Sequence, residues 1–358
     1  MTNPGQPEKI LLIRTGALGD TVLLLPLLRL IRTGYPNFHL EMMTHPEFFP
    51  LVLGADLAHE AHPADLKGVH TFYLDSPGLL DSDATDFFSQ YDWVISIKHD
   101  LDRIFETNMK SAGAKNVLTI PPIPPPGFSD LYQKYLFSFF SEEKWKENAC
   151  ELSPPKLDIR LFADQPIHPK IGSGEVLEDF IVPSKSQDRI EKLFKNGFVT
   201  LHPGSGSRFK NWSEENFQVL MDRVIQSTDL DLLVILGSAE GRKDPGIEVL
   251  NDRTLAANNL PIPFLSALLK RSRCHVGNDS GISHLAAGLD CPTICLFGPT
   301  SPAVWKPVGD WVSVVSGEAE CSPCRREVMR SCPDRICLSS IQWERVYSLM
   351  DSVLSHES

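Results

Sequence analysis

What most restricts the fold of this chain is an alternation. Short runs of branched apolar residues are separated by amphipathic stretches, beginning with Ile10 to Ile13, then Thr21 to Ile31, then Phe38 to Met43. The rhythm continues through Val69 to Leu74, Trp93 to Ile97 and Val117 to Ile120. A fully apolar strand followed by a half-apolar helix is the signature of βαβ units, in which a parallel sheet is covered by helices on both faces. Five prolines between Pro121 and Pro126 then break the pattern, because proline lacks the N–H that a helix interior or a central strand needs.

After an amphipathic stretch at Phe128 to Phe140 and a second proline-rich tract from Ser153 to Ser184, the rhythm resumes. Strands are expected at Phe198 to Leu201, Leu232 to Leu236, His275 to Gly277 and Thr293 to Phe297, with helices at Ser213 to Gln226, Phe264 to Arg271 and Gly281 to Gly288. Ser213 followed by Glu214 and Glu215 is a helix start, a serine cap with acidic residues in the first turn. A chain of 358 residues has room for two domains, each with its own core. The expected organisation is α/β, with a doubly wound Rossmann-like domain over 1–165, a linker over 166–190 and a second such domain over 191–340 that carries a cysteine-rich loop at 321–337. A closing amphipathic helix follows at 341–358.

Composition then removes whole classes of function. With 34 Lys and Arg against 46 Asp and Glu, the formal charge is −12, which argues against a broad grip on nucleic acid. The apolar stretch Val22 to Leu28 contains Pro26 and ends at Arg29, far short of the roughly 20 residues that cross a bilayer. The polar start, Met1 to Lys9, lacks the pattern of a secretory signal, so the expected location is the cytoplasm. The eight cysteines are then expected to be mostly reduced or metal-bound.

In paired open sheets ligands bind beyond the carboxyl ends of the strands, so the loops there come first. The first reads Arg14-Thr15-Gly16-Ala17-Leu18-Gly19-Asp20. Its glycines admit close approach of a ligand, and the helix start after it favours an anion or a carboxylate. Gly-x-x-Gly does not match the dinucleotide fingerprint, which weakens a nicotinamide reading. Asp20 has two readings, a first-turn acid stabilised by the helix dipole or a general base. The second loop, His202 to Trp212, combines Gly204, Ser205, Gly206 and Ser207 with Arg208 and Lys210, the chemistry that holds a phosphate; a solvated Gly/Ser loop is the plain alternative. The third, Gly277-Asn278-Asp279-Ser280-Gly281, runs from a strand into a helix. N–H groups of Ser280 and Gly281 would face a diphosphate, Asp279 would hold sugar hydroxyls, and His284 sits on the helix's first turns as a ligand or a packing residue.

Taken together, Gly19-Asp20 with Leu25-Pro26, His202-Pro203-Gly204 with Lys210 and Trp212, Gly277 to Gly281 with His284 and Ala286-Ala287, and Leu296-Phe297-Gly298-Pro299-Thr300 resemble the ADP-heptose:lipopolysaccharide heptosyltransferases of glycosyltransferase family 9. That resemblance implies the GT-B fold, two Rossmann-like domains facing across a cleft. The first would receive the acceptor, with Arg14, Gly16 and Gly19 in its loop, and the second the nucleotide-sugar, through Ser205, Lys210, Asp279, Ser280, Gly281 and His284. It implies Asp20 as catalytic base, Lys210 as the donor-phosphate lysine, Asp279 as the sugar-contacting acid and Glu240 as a donor-ribose contact. The partners it implies are ADP-heptose and a lipopolysaccharide core or other glycan acceptor, at the cytoplasmic face of the inner membrane.

The chemistry that follows is one displacement with inversion at the anomeric carbon, Asp20 taking the acceptor's proton. Lys210 and the helix start at Ser280 and Gly281 would offset the charge of the leaving diphosphate, so no catalytic metal or other cofactor is expected. The triplets Asp81-x-Asp83, Asp100-x-Asp102 and Asp229-x-Asp231 read as surface charges of an acidic chain.

Cys321, Cys324, Cys332 and Cys337 could close a tetrahedral structural site for Zn or Fe; reduced thiols and two disulfides are the alternatives. Similar clusters occur in part of the family, including protein heptosyltransferases with an iron site held by four cysteines. Cys274, Cys291 and Cys295 read as small core residues. Residues 1–165 hold 14 basic against 22 acidic residues, an unusual face for an anionic acceptor, though Arg14, Lys98, His99 and Arg103 are local cations. A protein acceptor therefore stays open. So does a non-catalytic nucleotide-binding scaffold, and, further off, a GT-B epimerase or a dinucleotide oxidoreductase.

Overall fold

The computed structural model describes residues 8–35, 37–140, 192–193, 195–237 and 246–356. Glu240, Cys150 and the expected linker at 166–190 lie outside them. The chain divides into two compact units, Met1–Asp158 and Ile159–Ser358.

The first unit is a five-stranded sheet in the order β3-β2-β1-β4-β5, every neighbouring pair parallel. Its strands are β1 (Glu8–Ile13), β2 (Phe38–Thr44), β3 (Glu60–Pro63), β4 (Trp93–Ile97) and β5 (Asn116–Ile120). Ile10, Leu11 and Leu12 of the central strand are wholly buried, as a strand covered on both faces requires. Leu11, Met43, Val94, Phe72, Phe88 and Phe105 share one cluster, and each such side chain taken from water contributes about 1.5–3 kcal/mol.

Two expectations are corrected here. The single helix expected over Thr21 to Ile31 is two, Leu18–Val22 and Leu25–Gly34, with Pro26 in the first turn of the second. Proline there continues no preceding ladder, so the chain turns at Leu23 and Leu24 and restarts. The strand expected over Val69 to Leu74 is a 3-10 turn, Val69–Tyr73. Gly68 enters it at φ +82, and its buried residues Val69 and Phe72 are three apart, the spacing of that turn.

On the amino half of this sheet Glu41 is buried and accepts hydrogen bonds from Lys9, His62 and Tyr91. Burial alone would raise its carboxyl, but those bonds outweigh it and hold it at about 2. Among the described residues, His39, Glu41 and Glu60 place ligand-type atoms within 4.8 Å of one another. Glu41 is already compensated there by Lys9.

The second unit is a seven-stranded sheet ordered β12-β11-β10-β6-β7-β9-β8. Its strands are β6 (Phe198–His202), β7 (Asp231–Leu236), β8 (Gly246–Asn251), β9 (Thr254–Asn258), β10 (His275–Asn278), β11 (Thr293–Phe297) and β12 (Val312–Ser316). All pair in parallel except the edge hairpin β8–β9. Helix Glu214–Ser227 starts as expected, the Ser213 side chain accepting from the Asn216 N–H. The closing helix, Trp343–His356, packs against it: Val346 and Met350 share a core with Leu220 and Val224, and Tyr347 bonds Ser227 at 2.6 Å. Each unit is by itself a doubly wound α/β sheet.

Of the Asp-x-Asp triplets, Asp83 is a surface charge as expected, whereas Asp81, Asp100 and Asp231 have structural partners. Asp81 caps helix Ser82–Phe88 through the Ala84 N–H at 3.1 Å, and Asp83 pairs with Lys67. Asp100 accepts from the N–H groups of Phe105 and Glu106 at the start of helix Ile104–Ser111. Asp231 is buried beside Arg253 at 3.5 Å. A carboxylate at a helix start satisfies N–H groups that have no partner within the helix, which is why Asp81 and Asp100 stand where helices begin. Among the described residues no helix is long and apolar enough to cross a membrane.

Candidate functional site

Strand order reverses between β1 and β4 in the first unit and between β6 and β10 in the second, and the crevice outside such a point is where ligands bind in open α/β sheets. The three loops singled out from sequence stand at these two places.

In the first unit, Arg14 leaves the end of β1 nine-tenths buried and donates to the Ile97 carbonyl at 3.0 Å and to the Asp20 carboxylate. The other Asp20 oxygen accepts the Ala17 N–H at 2.9 Å. Asp20 thus closes the helix start and remains about a third exposed. Gly16 makes this arrangement feasible, because a Cβ there would lie 2.2 Å from an Asp20 carboxylate oxygen. Gly19 lies in the five-residue helix itself. Tyr132, from helix Tyr132–Ser138, stands in the electrostatic range of Arg14 and Asp20; burial pushes its hydroxyl up to about 12, Arg14 opposing and Asp20 reinforcing the shift. No motif marks it.

Two of the local cations of this unit, Lys98 and Arg103, are engaged by neighbours. The Lys98 ammonium lies 3.3 Å from the Tyr73 ring centroid and 4.2 Å from that of Phe105, and burial lowers it to about 8. Arg103 pairs with Glu106 on its own helix.

In the second unit the site is built on Asn278, at the end of β10 and wholly buried. Its side-chain oxygen accepts the Trp212 N–H at 2.9 Å, and its amide nitrogen donates to the carbonyls of Pro203, at 2.7 Å, and Gly204, at 3.3 Å. One side chain thus pins both ends of the loop after β6. The Trp212 ring is buried, its N–H bonded to the Ile341 carbonyl at 3.1 Å. Within the loop, the Ser205 hydroxyl lies 2.7 Å from the Ser207 carbonyl and 2.6 Å from the Asn211 side-chain oxygen, and accepts the Ser207 N–H. It is used to shape the loop.

Lys210, on the 3-10 turn Arg208–Lys210, reaches Asp279 at 3.1 Å, and the same carboxylate oxygen accepts the Thr300 hydroxyl at 2.6 Å. Asp279 is buried and Lys210 is one-fifth exposed. Two residues assigned to one site from loops 69 positions apart are therefore in contact. Ser280 caps helix Gly281–Gly288 through the Ser283 N–H, and His284 is buried in that helix. Gly277 lets the helix sit close: a Cβ there would lie 2.7 Å from both the His275 ring and the Ser283 hydroxyl. His275 is wholly buried, and burial, with His202 adding to it, drops it to about 3.

Cys321, Cys324, Cys332 and Cys337 lie within electrostatic range of one another, but among the described residues no three of their sulfur atoms come within 4.8 Å of one another. Cys324 is partly exposed, Cys321 exposed and Cys337 buried, and all are unbridged. Burial raises the Cys324 and Cys337 thiols, and each is raised further by the other cysteines of the group. Cys274, Cys291 and Cys295 are buried core thiols, as expected. A cavity of about 470 Å³, lined by Lys192, Asn196, Asp229, Asp231 and Arg253, opens at the opposite, amino edge of the second sheet and takes no part in the site.

Residues 155–332 match the family model described as glycosyltransferase family 9 (heptosyltransferase). Over 95% of its length the chain is 22% identical to 96% of lipopolysaccharide heptosyltransferase 3 of Escherichia coli K12. The glycosyl transferase family 9 structure from Veillonella parvula superposes with a TM-score of 0.67 at 15% identity, covering 98% of each chain. The E. coli ADP-heptose lps heptosyltransferase II superposes with a TM-score of 0.66 at 14% identity, covering 98% of this chain and 99% of that one.

Proposed function

We propose, from the premise that the chain is a glycosyltransferase family 9, heptosyltransferase-like protein, that it transfers a heptose from ADP-heptose to a hydroxyl of the lipopolysaccharide inner core, with inversion, in the cytoplasm. The observation that carries this reading is the Lys210–Asp279 contact at the β6/β10 switch point, a buried acid and a reachable ammonium beside the start of an eight-residue helix. Such a place suits a nucleoside diphosphate joined to a sugar: cation and helix N–H groups for the phosphates, a carboxylate for the hydroxyls.

As the acceptor oxygen bonds to the anomeric carbon, the bond from that carbon to the diphosphate breaks and its electron pair leaves with the nucleotide. Lys210, together with the N–H groups at Ser280 and Gly281, offsets the charge that develops there, each charge-assisted bond being worth about 1.5–3 kcal/mol. The acceptor's proton goes to Asp20, whose carboxylate Arg14 and the Ala17 N–H hold in one orientation. Base catalysis of this kind contributes roughly 10²–10⁴ in rate. Lys210 must share itself between Asp279 and the phosphates, and Thr300 keeps Asp279 in place as it does so. Glu240, outside the described residues, is assigned to the donor ribose.

The cysteine group is assigned to a structural Zn or Fe. Four thiols are a donor set of the kind that holds such an ion, although among the described residues no three of their sulfur atoms lie within 4.8 Å of one another, so binding would have to draw them together.

Calorimetry with ADP-heptose, other ADP-sugars, UDP-sugars and GDP-sugars tests the donor, on wild type and Lys210→Ala. Selective binding of ADP-heptose, weakened in the variant, is expected; binding of no nucleotide-sugar sinks the reading and leaves a scaffold. Turnover of Asp20→Asn equal to wild type would remove Asp20 as the base.

A further inference from the structure

The segment from Cys321 to Cys337 touches both groups that flank Asp279. At one end, the Ser322 hydroxyl donates to the Gly298 carbonyl at 2.6 Å and the Cys324 N–H to the Pro299 carbonyl at 2.7 Å. These bonds hold the run that ends in Thr300, whose hydroxyl is on Asp279. At the other end, Arg335 donates to the Arg208 carbonyl at 3.0 Å, and its guanidinium lies 5.7 Å from the Phe209 ring centroid. Arg208 and Phe209 are the first two residues of the tight turn that ends in Lys210.

Arg335 itself sits at φ +43, in the left-handed region that L side chains seldom adopt. The following helix, Ile336–Ser339, starts from that residue, and its Leu338 packs where a Cβ on Gly298 would collide. An unfavourable backbone conformation is thus kept at a residue whose side chain reaches the main chain of the lysine-bearing turn. Neither Arg335 nor Ser322 is near enough in sequence to these partners for a local motif to explain the contacts, which span 127 and 24 positions.

We propose that Arg335 is a positioning residue for the donor diphosphate: it fixes the Arg208–Lys210 turn, and through it the reach of Lys210 past Asp279. The inference rests on the donor reading above. It makes the cysteine-rich segment a strap across the donor site, tied at Gly298–Pro299 on one side and at Arg208 on the other.

The test is binding of ADP and of adenosine, by calorimetry, to wild type, Arg335→Gly, Arg335→Lys, Lys210→Ala and the double variant Arg335→Gly/Lys210→Ala, with thermal unfolding of each. Glycine relieves the left-handed strain while deleting the side chain, so a purely structural role and a positioning role part company. Expected are an ADP Kd about tenfold weaker in Arg335→Gly, unchanged adenosine binding and unlowered stability. Lysine keeps the charge without the planar fork and restores binding only in part. In the double variant the Kd should match that of Lys210→Ala, because the arginine acts through the lysine. Wild-type ADP affinity in Arg335→Gly, equal losses of ADP and adenosine binding, or multiplied losses in the double variant would each overturn the proposal while leaving the donor reading intact. A wild type that binds no ADP overturns both.

Discussion

Asn278→Ala removes three hydrogen bonds at once. The Trp212 N–H, donated at 2.9 Å in a buried setting, loses its acceptor, and the Pro203 and Gly204 carbonyls, at 2.7 and 3.3 Å, lose their donor. A buried donor left unpaired costs about 1–3 kcal/mol, whereas a carbonyl that water can reach costs about the net worth of one bond, roughly 0.5–1.5 kcal/mol. The second carbonyl adds little at its longer distance. The sum is a loss of about 2–4 kcal/mol, confined to the second unit. For a unit of this size that is a fall of about 5–15 °C in its unfolding midpoint, read by calorimetry or by near-UV circular dichroism on the buried Trp212. Since the same side chain pins the loop that carries Lys210, nucleotide binding should weaken even well below the midpoint. Asn278→Asp keeps the acceptor for Trp212 but sets a carboxylate against two carbonyls, and should be no better. A shift below about 2 °C in Asn278→Ala, with unaltered nucleotide binding, would refute the view that this amide holds the loop.

Gly16→Ala places a Cβ 2.2 Å from the Asp20 carboxylate, so the acid must leave its pairing with Arg14; turnover is expected to fall at least tenfold while the unfolding midpoint of the protein drops only a few degrees. Metal analysis of protein purified without chelator should find close to one equivalent of Zn or Fe, lost in Cys324→Ser; less than about a tenth of an equivalent would exclude the site. His275, drawn from 6.5 to about 3 by burial, stays neutral in the fold, so between those values the unfolded chain binds more protons. Stability of the second unit should therefore be fully present above about pH 6.5 and decline as pH falls towards about 3, and urea melts of His275→Gln should show a shallower decline over that window.

How much of this could be read from residues alone divides along a physical line. Strands buried on both faces, such as β1, β4, β6 and β11, advertise themselves as apolar runs, and the helix start at Ser213 by its capping side chain. The edge strands β3 and β12 and the hairpin β8–β9 were not legible, since an edge buries less and β9, although buried, does so with small residues such as Ala256 and Ala257. The loops that carry Asp20, Lys210 and Asp279 were legible because they follow readable strands and are rich in glycine and in chemistry-bearing side chains. What those side chains touch was not.

The sequence by itself determined the alternation of strand and helix, hence a doubly wound α/β chain in two parts, because hydrophobic periodicity is a local property of one element. Only the tertiary structure decided that Lys210 meets Asp279, that Thr300 holds the same carboxylate, that Asn278 ties down Trp212 and that Arg335 reaches Arg208. Each of these depends on the register between segments that strand order brings together, and a polar side chain carries no mark of a partner many residues away.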